Sequence, residues 1–144
     1  NHIFLGLPVA FTTDTFKTGL AEGMRYIINN DGPYLVHCTE GKDRAGFTSA
    51  LLECLMGATL EEVVSDYMVS YENYYGVTQA SDPEKFQLIV NNNIYGMLRT
   101  IAGVSSNADL AKADLQAGAV QYLTSHGMTQ AQISALQTNL STAQ

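Results

Sequence analysis

Residues 34–46 read YLVHCTEGKDRAG, and this stretch limits the fold more than any other. A short apolar run, Tyr34–His37, passes through a polar loop holding one glycine and enters a segment with helical spacing. A short, mainly apolar run without alternation suits a strand buried on both faces, as in parallel sheets. Beyond the loop, Phe47, Ala50, Leu51, Cys54 and Leu55 recur at helical offsets, and Gly57 is placed to end that helix. The expected unit is therefore strand, loop, helix.

The rest of the chain fills in around it. Residues 1–11 read as a short strand leading into a loop. From Asp14, the residues Phe16, Leu20, Met24, Ile27 and Ile28 predict a helix that ends at the turn residues Asn29–Pro33. Thr59 with Glu62 forms a capping-box pattern for a helix reaching about Tyr75. Asp82-Pro83 starts another, lined by Phe86, Val90, Ile94, Leu98 and Ile101. Two more are expected, from about Asp109 to Ser125 and from Thr129 to about Leu140. This order predicts one α/β domain over residues 1–144, with a parallel sheet flanked by helices. Residues 1–75 form the strand and loop segment and residues 76–144 a helical C-terminal region. Two short strands make no sheet with helices on both faces, so further N-terminal strands are expected outside this chain.

Composition removes several functions. Seven Lys and Arg against 14 Asp and Glu give a net charge of −7, which disfavours nucleic-acid binding, whose affinity comes from neutralising phosphates. One small anion in a local basic pocket stays compatible with that balance. No apolar run is long enough to predict stable insertion into a membrane. Two cysteines, Cys38 and Cys54, make no disulfide framework. They slightly favour a cytoplasmic, reducing compartment, although secreted chains can also lack bridges.

The loop carries the chemistry. A strand that turns straight into a helix leaves backbone N–H groups pointing into the turn, and with the helix dipole these make an anion site. Thr39, Glu40, Gly41, Lys42, Asp43 and Arg44 form a loop short enough to wrap one phosphate. Gly41 would supply a positive φ or allow close approach, and Arg44 can grip two phosphate oxygens with its planar fork. Cys38 lies at the base of that cradle. The amides, dipole and guanidinium all favour its thiolate, which could attack phosphorus while the same donors hold the transition-state oxygens. A nucleotide-binding P-loop fits poorly, since Val36 stands where its first glycine belongs and Asp43 where its Ser or Thr belongs. Cys54, on an apolar stripe, reads as packing. His37 reads as a structural support of the loop, and His2 and His126 as surface residues. Tyr67, Tyr71, Tyr74 and Tyr75 share a helix face and read as packing, with a substrate wall as the alternative. No metal-ligand spacing is visible, and no cofactor is expected.

His37-Cys38, five residues, then Arg44 matches the signature of cysteine-dependent phosphatases. The fuller HCTEGKDRAGF is similar to a bacterial tyrosine-phosphatase-like family whose loop carries Gly-Lys-Asp-Arg. The resemblance is strongest over Tyr34–Tyr75, including SDYMVSYENYY, and extends weakly to YLTSHGMTQAQISALQ. It implies Cys38 as nucleophile, Arg44 as phosphate ligand and Asp43 as general acid, with Asp14 the alternative acid. Lys42 would add charge for a second phosphate. Many relatives have Thr or Ser where this chain has Ala45, and that hydroxyl helps the cysteine leave, so Ala45 implies slow breakdown of a phosphocysteine. The expected activity is phosphomonoester hydrolysis, first as a protein-tyrosine phosphatase, with a phosphorylated protein or small phosphomonoester as partner. The alternatives are a phosphoinositide or inositol-phosphate phosphatase and a non-catalytic phosphate-binding module, with a rhodanese-like sulfur carrier as a remote third. Family members carry an N-terminal half, which another chain could supply.

Overall fold

The structure, a computed structural model, describes residues 3–142. It is built of helices: α1 (Asp14–Asn29), α2 (Arg44–Leu55), α3 (Leu60–Tyr75), α4 (Pro83–Ile89), a π-helical turn (Val90–Ile94), α5 (Tyr95–Ala102), α6 (Asn107–Leu110), α7 (Leu115–Thr124) and α8 (Gln130–Thr142). Helix α2 is the hub and packs on α7, α3 and α5, while α1 packs on α8 and α5 on α7. Its stripe residues Phe47, Ala50, Leu51, Cys54 and Leu55 are all buried, and so are Ala45, Gly46 and Thr48 near its start. A helix buried nearly all round lies inside the domain rather than on its surface.

The parallel sheet expected from the sequence is not found. No strand occurs among the described residues. Tyr34–His37 runs without regular structure, with Leu35 88% and Val36 39% exposed. Ile3–Ala10 is likewise irregular, and Asn1 and His2 lie outside the described residues. The physical reason is that a strand is stabilised by a neighbour's N–H and C=O groups, which local apolar character cannot provide. Among the described residues nothing pairs with the apolar run, so the fold is helical and not α/β.

Helix starts follow their expected chemistry. Thr13 caps α1, Thr59 and Glu62 close a capping box on α3, Asp82 caps α4, and Thr129 and Gln132 do the same for α8. The helix expected over Asp109–Ser125 is two, because Asp114 accepts from the Ala117 amide at 3.0 Å and begins α7 anew. The run from Pro83 to Ala102 is helical throughout, but a π turn widens it at Val90–Ile94. That turn places Asn93 to donate to the Tyr71 hydroxyl at 2.5 Å.

Two glutamines, Gln116 and Gln137, both donate to the carbonyl of Leu55 and so finish the C-terminal end of α2. Asn139 does the same for α1 through the carbonyls of Ile27 and Ile28. Among the described helices, none is long and apolar enough to cross a membrane.

Helix α7 approaches the end of α5 closely at Gly118. A Cβ there would lie 2.8 Å from Ala102 Cα and 2.9 Å from the Ile101 carbonyl oxygen, both backbone atoms of the α5 end. Gly118→Val should therefore destabilise the fold by about 1–3 kcal/mol through overpacking. Urea denaturation checks this, and an unchanged or higher midpoint would refute the contact.

Candidate active site

The candidate site lies where the loop 39–43 meets the N-terminus of α2. Gly41 turns the loop with φ +78°, a region where side chains are strained. Asp43 is the N-cap residue of α2, yet its side chain makes no capping bond. Helices α1, α3, α4, α6, α7 and α8 are each closed by a side-chain cap. The first amides of α2 are instead left for another acceptor.

That acceptor is Cys38. Its Sγ takes a hydrogen bond from the Ala45 amide at 3.4 Å. Burial pushes the thiol up, but the N–H groups of Ala45, Gly41, Glu40 and Asp43 together outweigh it and hold Cys38 below the usual thiol range. The arrangement favours a thiolate at the mouth of a helix N-terminus. Cys54 is the contrast: burial, with the nearby Glu53 carboxylate second, pushes it up to about 12.

Arg44 bridges the loop and the N-terminal segment. Its Nη1 donates to the Leu7 carbonyl at 3.1 Å and its Nη2 to Thr39 Oγ1 at 3.2 Å. Its Nε is buried and has no hydrogen-bond partner among the described residues. A buried donor left unpaired is costly, by about 1–3 kcal/mol, and asks for a ligand.

The carboxylates around the loop are engaged. Lys42 Nζ is 2.9 Å from Asp43 Oδ2 and 3.3 Å from Glu40 Oε2. The hydrogen bond to Asp43 is the main reason the Lys42 ammonium is held above its ordinary range. Glu40 also accepts from the Tyr75 hydroxyl at 3.0 Å, tying the loop to the end of α3. Of the four tyrosines on α3, Tyr67 and Tyr71 are buried and Tyr74 and Tyr75 are exposed. The Tyr67 ring lies on Gly46, where a Cβ would meet it at 3.0 Å, so the face does pack beside the loop. It also leaves two rings open to solvent.

Asp14 sits elsewhere in the contact pattern. Its exposed carboxylate meets His126 Nε2 at 3.1 Å, while His126 Nδ1 meets Ser125 Oγ at 2.9 Å. His126 is thus a link from α1 to the turn before α8, more than the surface residue expected. His37 is exposed and makes no hydrogen bond among the described residues, so the support expected from it is not found. The Leu7 carbonyl at Arg44 and the bond from Tyr75 to Glu40 gave no sign in the sequence, because both are contacts across long sequence separations. No cluster of three or more His, Cys, Asp or Glu side chains suited to a metal occurs among the described residues.

Behind the loop a cleft of about 40 Å³ is lined by Gly41, Gly46, Glu53, Asp66 and Tyr67, among others. Burial, and then the hydrogen-bonded Asp66 carboxyl, push Glu53 up to about 8. Unfolded glutamate loses its proton near ~4.3, so between those pH values the native state binds more protons. Stability should then fall as pH rises from about 4.3 to about 8. Glu53→Gln should flatten that decline and raise the melting temperature more at pH 8.5 than at pH 5. Equal effects at both pH values would exclude Glu53 as the source. A second test is alkylation: Cys38 should react with iodoacetamide with a midpoint below the ordinary ~8.5, and Cys54 should stay inert until the chain unfolds. A Cys38 midpoint at or above that value would contradict the amide cradle.

Comparison with known proteins points to tyrosine phosphatases. A tyrosine-protein phosphatase of Nostoc commune is 40% identical over 58 residues. That match covers 40% of this chain and 20% of the relative, so the matched segment spans about a fifth of that protein's length. No solved structure matches the chain. The model of the tyrosine phosphatase family matches residues 9–142, which takes in the loop, α2 and all the helices that follow, and the chain belongs to that family.

Proposed function

We propose that this chain carries the phosphate-binding loop of a cysteine-dependent phosphatase that hydrolyses phosphomonoesters, with phosphotyrosine as the leading substrate. The observation that carries this reading is the Ala45 amide on Cys38 Sγ at 3.4 Å, with the loop amides that lower the same thiol, together with the buried, unpaired Nε of Arg44 at the start of the same helix. In the first step the Cys38 thiolate attacks phosphorus, an S–P bond forms and the P–O ester bond breaks. The leaving oxygen takes a proton from Asp43. In the second step water attacks the phosphocysteine, Asp43 takes up the water's proton, and phosphate and thiolate are released. Amides and Arg44 hold the equatorial oxygens throughout. Asp43 is preferred over Asp14 as the acid because it is the N-cap residue of α2, next to Arg44, whereas Asp14 lies at the start of α1; both carboxylates have a basic partner, Lys42 and His126.

A phosphoinositide or inositol-phosphate substrate is the second reading, and a binding module without turnover the third. Lys42 is the residue that would favour a second phosphate, but its ammonium is already met by two carboxylates. This supports a singly phosphorylated substrate. The exposed side chains of Phe4, Val9, Leu35 and Val36 fit a surface that an N-terminal half, supplied by another segment or chain, would cover.

Release of phosphate from an aryl phosphate tests the reading. Cys38→Ser should abolish it, and activity retained in that variant would overturn the mechanism. Asp43→Asn should slow a poor leaving group such as phenol by about 10²–10⁴-fold and 4-nitrophenol much less. A larger loss from Asp14→Asn would transfer the acid role. Ala45→Thr should speed breakdown of the phosphocysteine, and turnover no faster than the parent's would remove Ala45 from that step.

A further inference from the structure

The irregular segment before α1 is held on that helix by two side chains. A Cβ at Gly19 would stand 2.2 Å from Leu7 Cδ2, and one at Gly23 would stand 2.9 Å from Leu5 Cδ1. The two leucines therefore occupy the space that side chains at positions 19 and 23 would fill. Those positions are four apart and share one face of α1. Between the leucines, Gly6 bends the backbone with φ +58°. The segment then continues to Phe11, whose ring stacks on Phe47 at 4.3 Å, and whose carbonyl accepts from the Tyr122 hydroxyl at 2.6 Å. Residue 7 is thus fixed by its side chain on α1, while the same chain is fixed on α2 and α7 at residue 11.

What Leu7 presents from that position is its carbonyl, 3.1 Å from Arg44 Nη1. Nη1 lies on the side of the guanidinium away from the Nε–Nη2 edge. Holding Nη1 leaves that edge, with its buried unpaired Nε and its Nη2 at Thr39, as the side that can grip two oxygens of one anion. A guanidinium without such an anchor would have to be ordered when the anion binds, at a cost in affinity.

We infer that Leu7 is a positioning residue for Arg44, and that the absence of a side chain at Gly19 is what lets it act. The inference rests on the phosphate-site reading given above. It predicts that filling the notch weakens oxyanion binding even though the substitution favours the helix, since leucine is a better helix former than glycine.

The probe is inorganic phosphate, titrated calorimetrically into the parent, Gly19→Leu, Leu7→Ala, the Gly19→Leu/Leu7→Ala pair and Arg44→Lys. Gly19→Leu and Leu7→Ala should each weaken phosphate by about fivefold or more, as expected for a displaced clamp. The double variant should recover much of the loss, because the new side chain at 19 then has the space Leu7 vacates. The pH midpoint of Cys38 alkylation should stay at the parent's value in Gly19→Leu, Leu7→Ala and the pair, whose substitutions leave the loop amides that hold the thiol low in place.

Parent-like affinity in folded Gly19→Leu and Leu7→Ala, or a double variant no better than the weaker single, would overturn the proposal. So would an alkylation midpoint that moves with the affinity, which would mean that the loop itself is disturbed. Parent-like affinity in Arg44→Lys would instead defeat the phosphate-site reading beneath it. A loss in Arg44→Lys alone would defeat only the role of Leu7.

Discussion

The N-terminus of α2 has no side chain to close it, and the sulfur of Cys38 takes that place. Every helix end must satisfy its first N–H groups, and elsewhere in this chain threonine, serine or aspartate does so. Asp43 occupies the capping position of α2 but turns its carboxylate to Lys42. The vacated donors then act on the thiol. One local exchange of partners thus makes an ordinary helix start into a site that stabilises negative charge.

The surrounding fold serves to hold that helix end still. Helix α2 is buried on nearly all sides and finished at its other end by Gln116 and Gln137. Phe47, one turn beyond Arg44, is fixed by Phe11, Phe16 and Tyr122. The loop itself is tied by Glu40 to Tyr75 and by Arg44 to Leu7. These ties come from α3 and from the N-terminal segment, so parts of the chain far apart in sequence set the geometry of a six-residue loop.

Charge follows the same logic at a local scale. The chain is acidic overall, yet an anion site needs positive potential. The donors that the proposed site offers are peptide N–H groups and one guanidinium, while the Lys42 ammonium is met by Glu40 and Asp43. A site built from backbone donors is compatible with an acidic surface, because donors within hydrogen-bond reach dominate over distant screened charges.

The turn at Gly41 and most helix starts were legible in the sequence, because caps, a turn glycine and apolar spacing are decided by neighbours a few residues away. Thr59 with Glu62, Thr129 with Gln132 and the stripe on α2 are read this way. Asp114 has the same chemistry, but a continuous apolar pattern across it hid the break before α7. The parallel sheet was not decided locally: Tyr34–His37 has the character of a strand, yet a strand exists only when another pairs with it. The notch at Gly19, the carbonyl of Leu7 over Arg44 and the link from Asp14 to His126 also came only from tertiary structure. In the sequence alone Gly19 is just a poor helix residue and Leu7 one more apolar side chain. Their meaning depends on which surfaces meet, and this is set by packing across the whole chain.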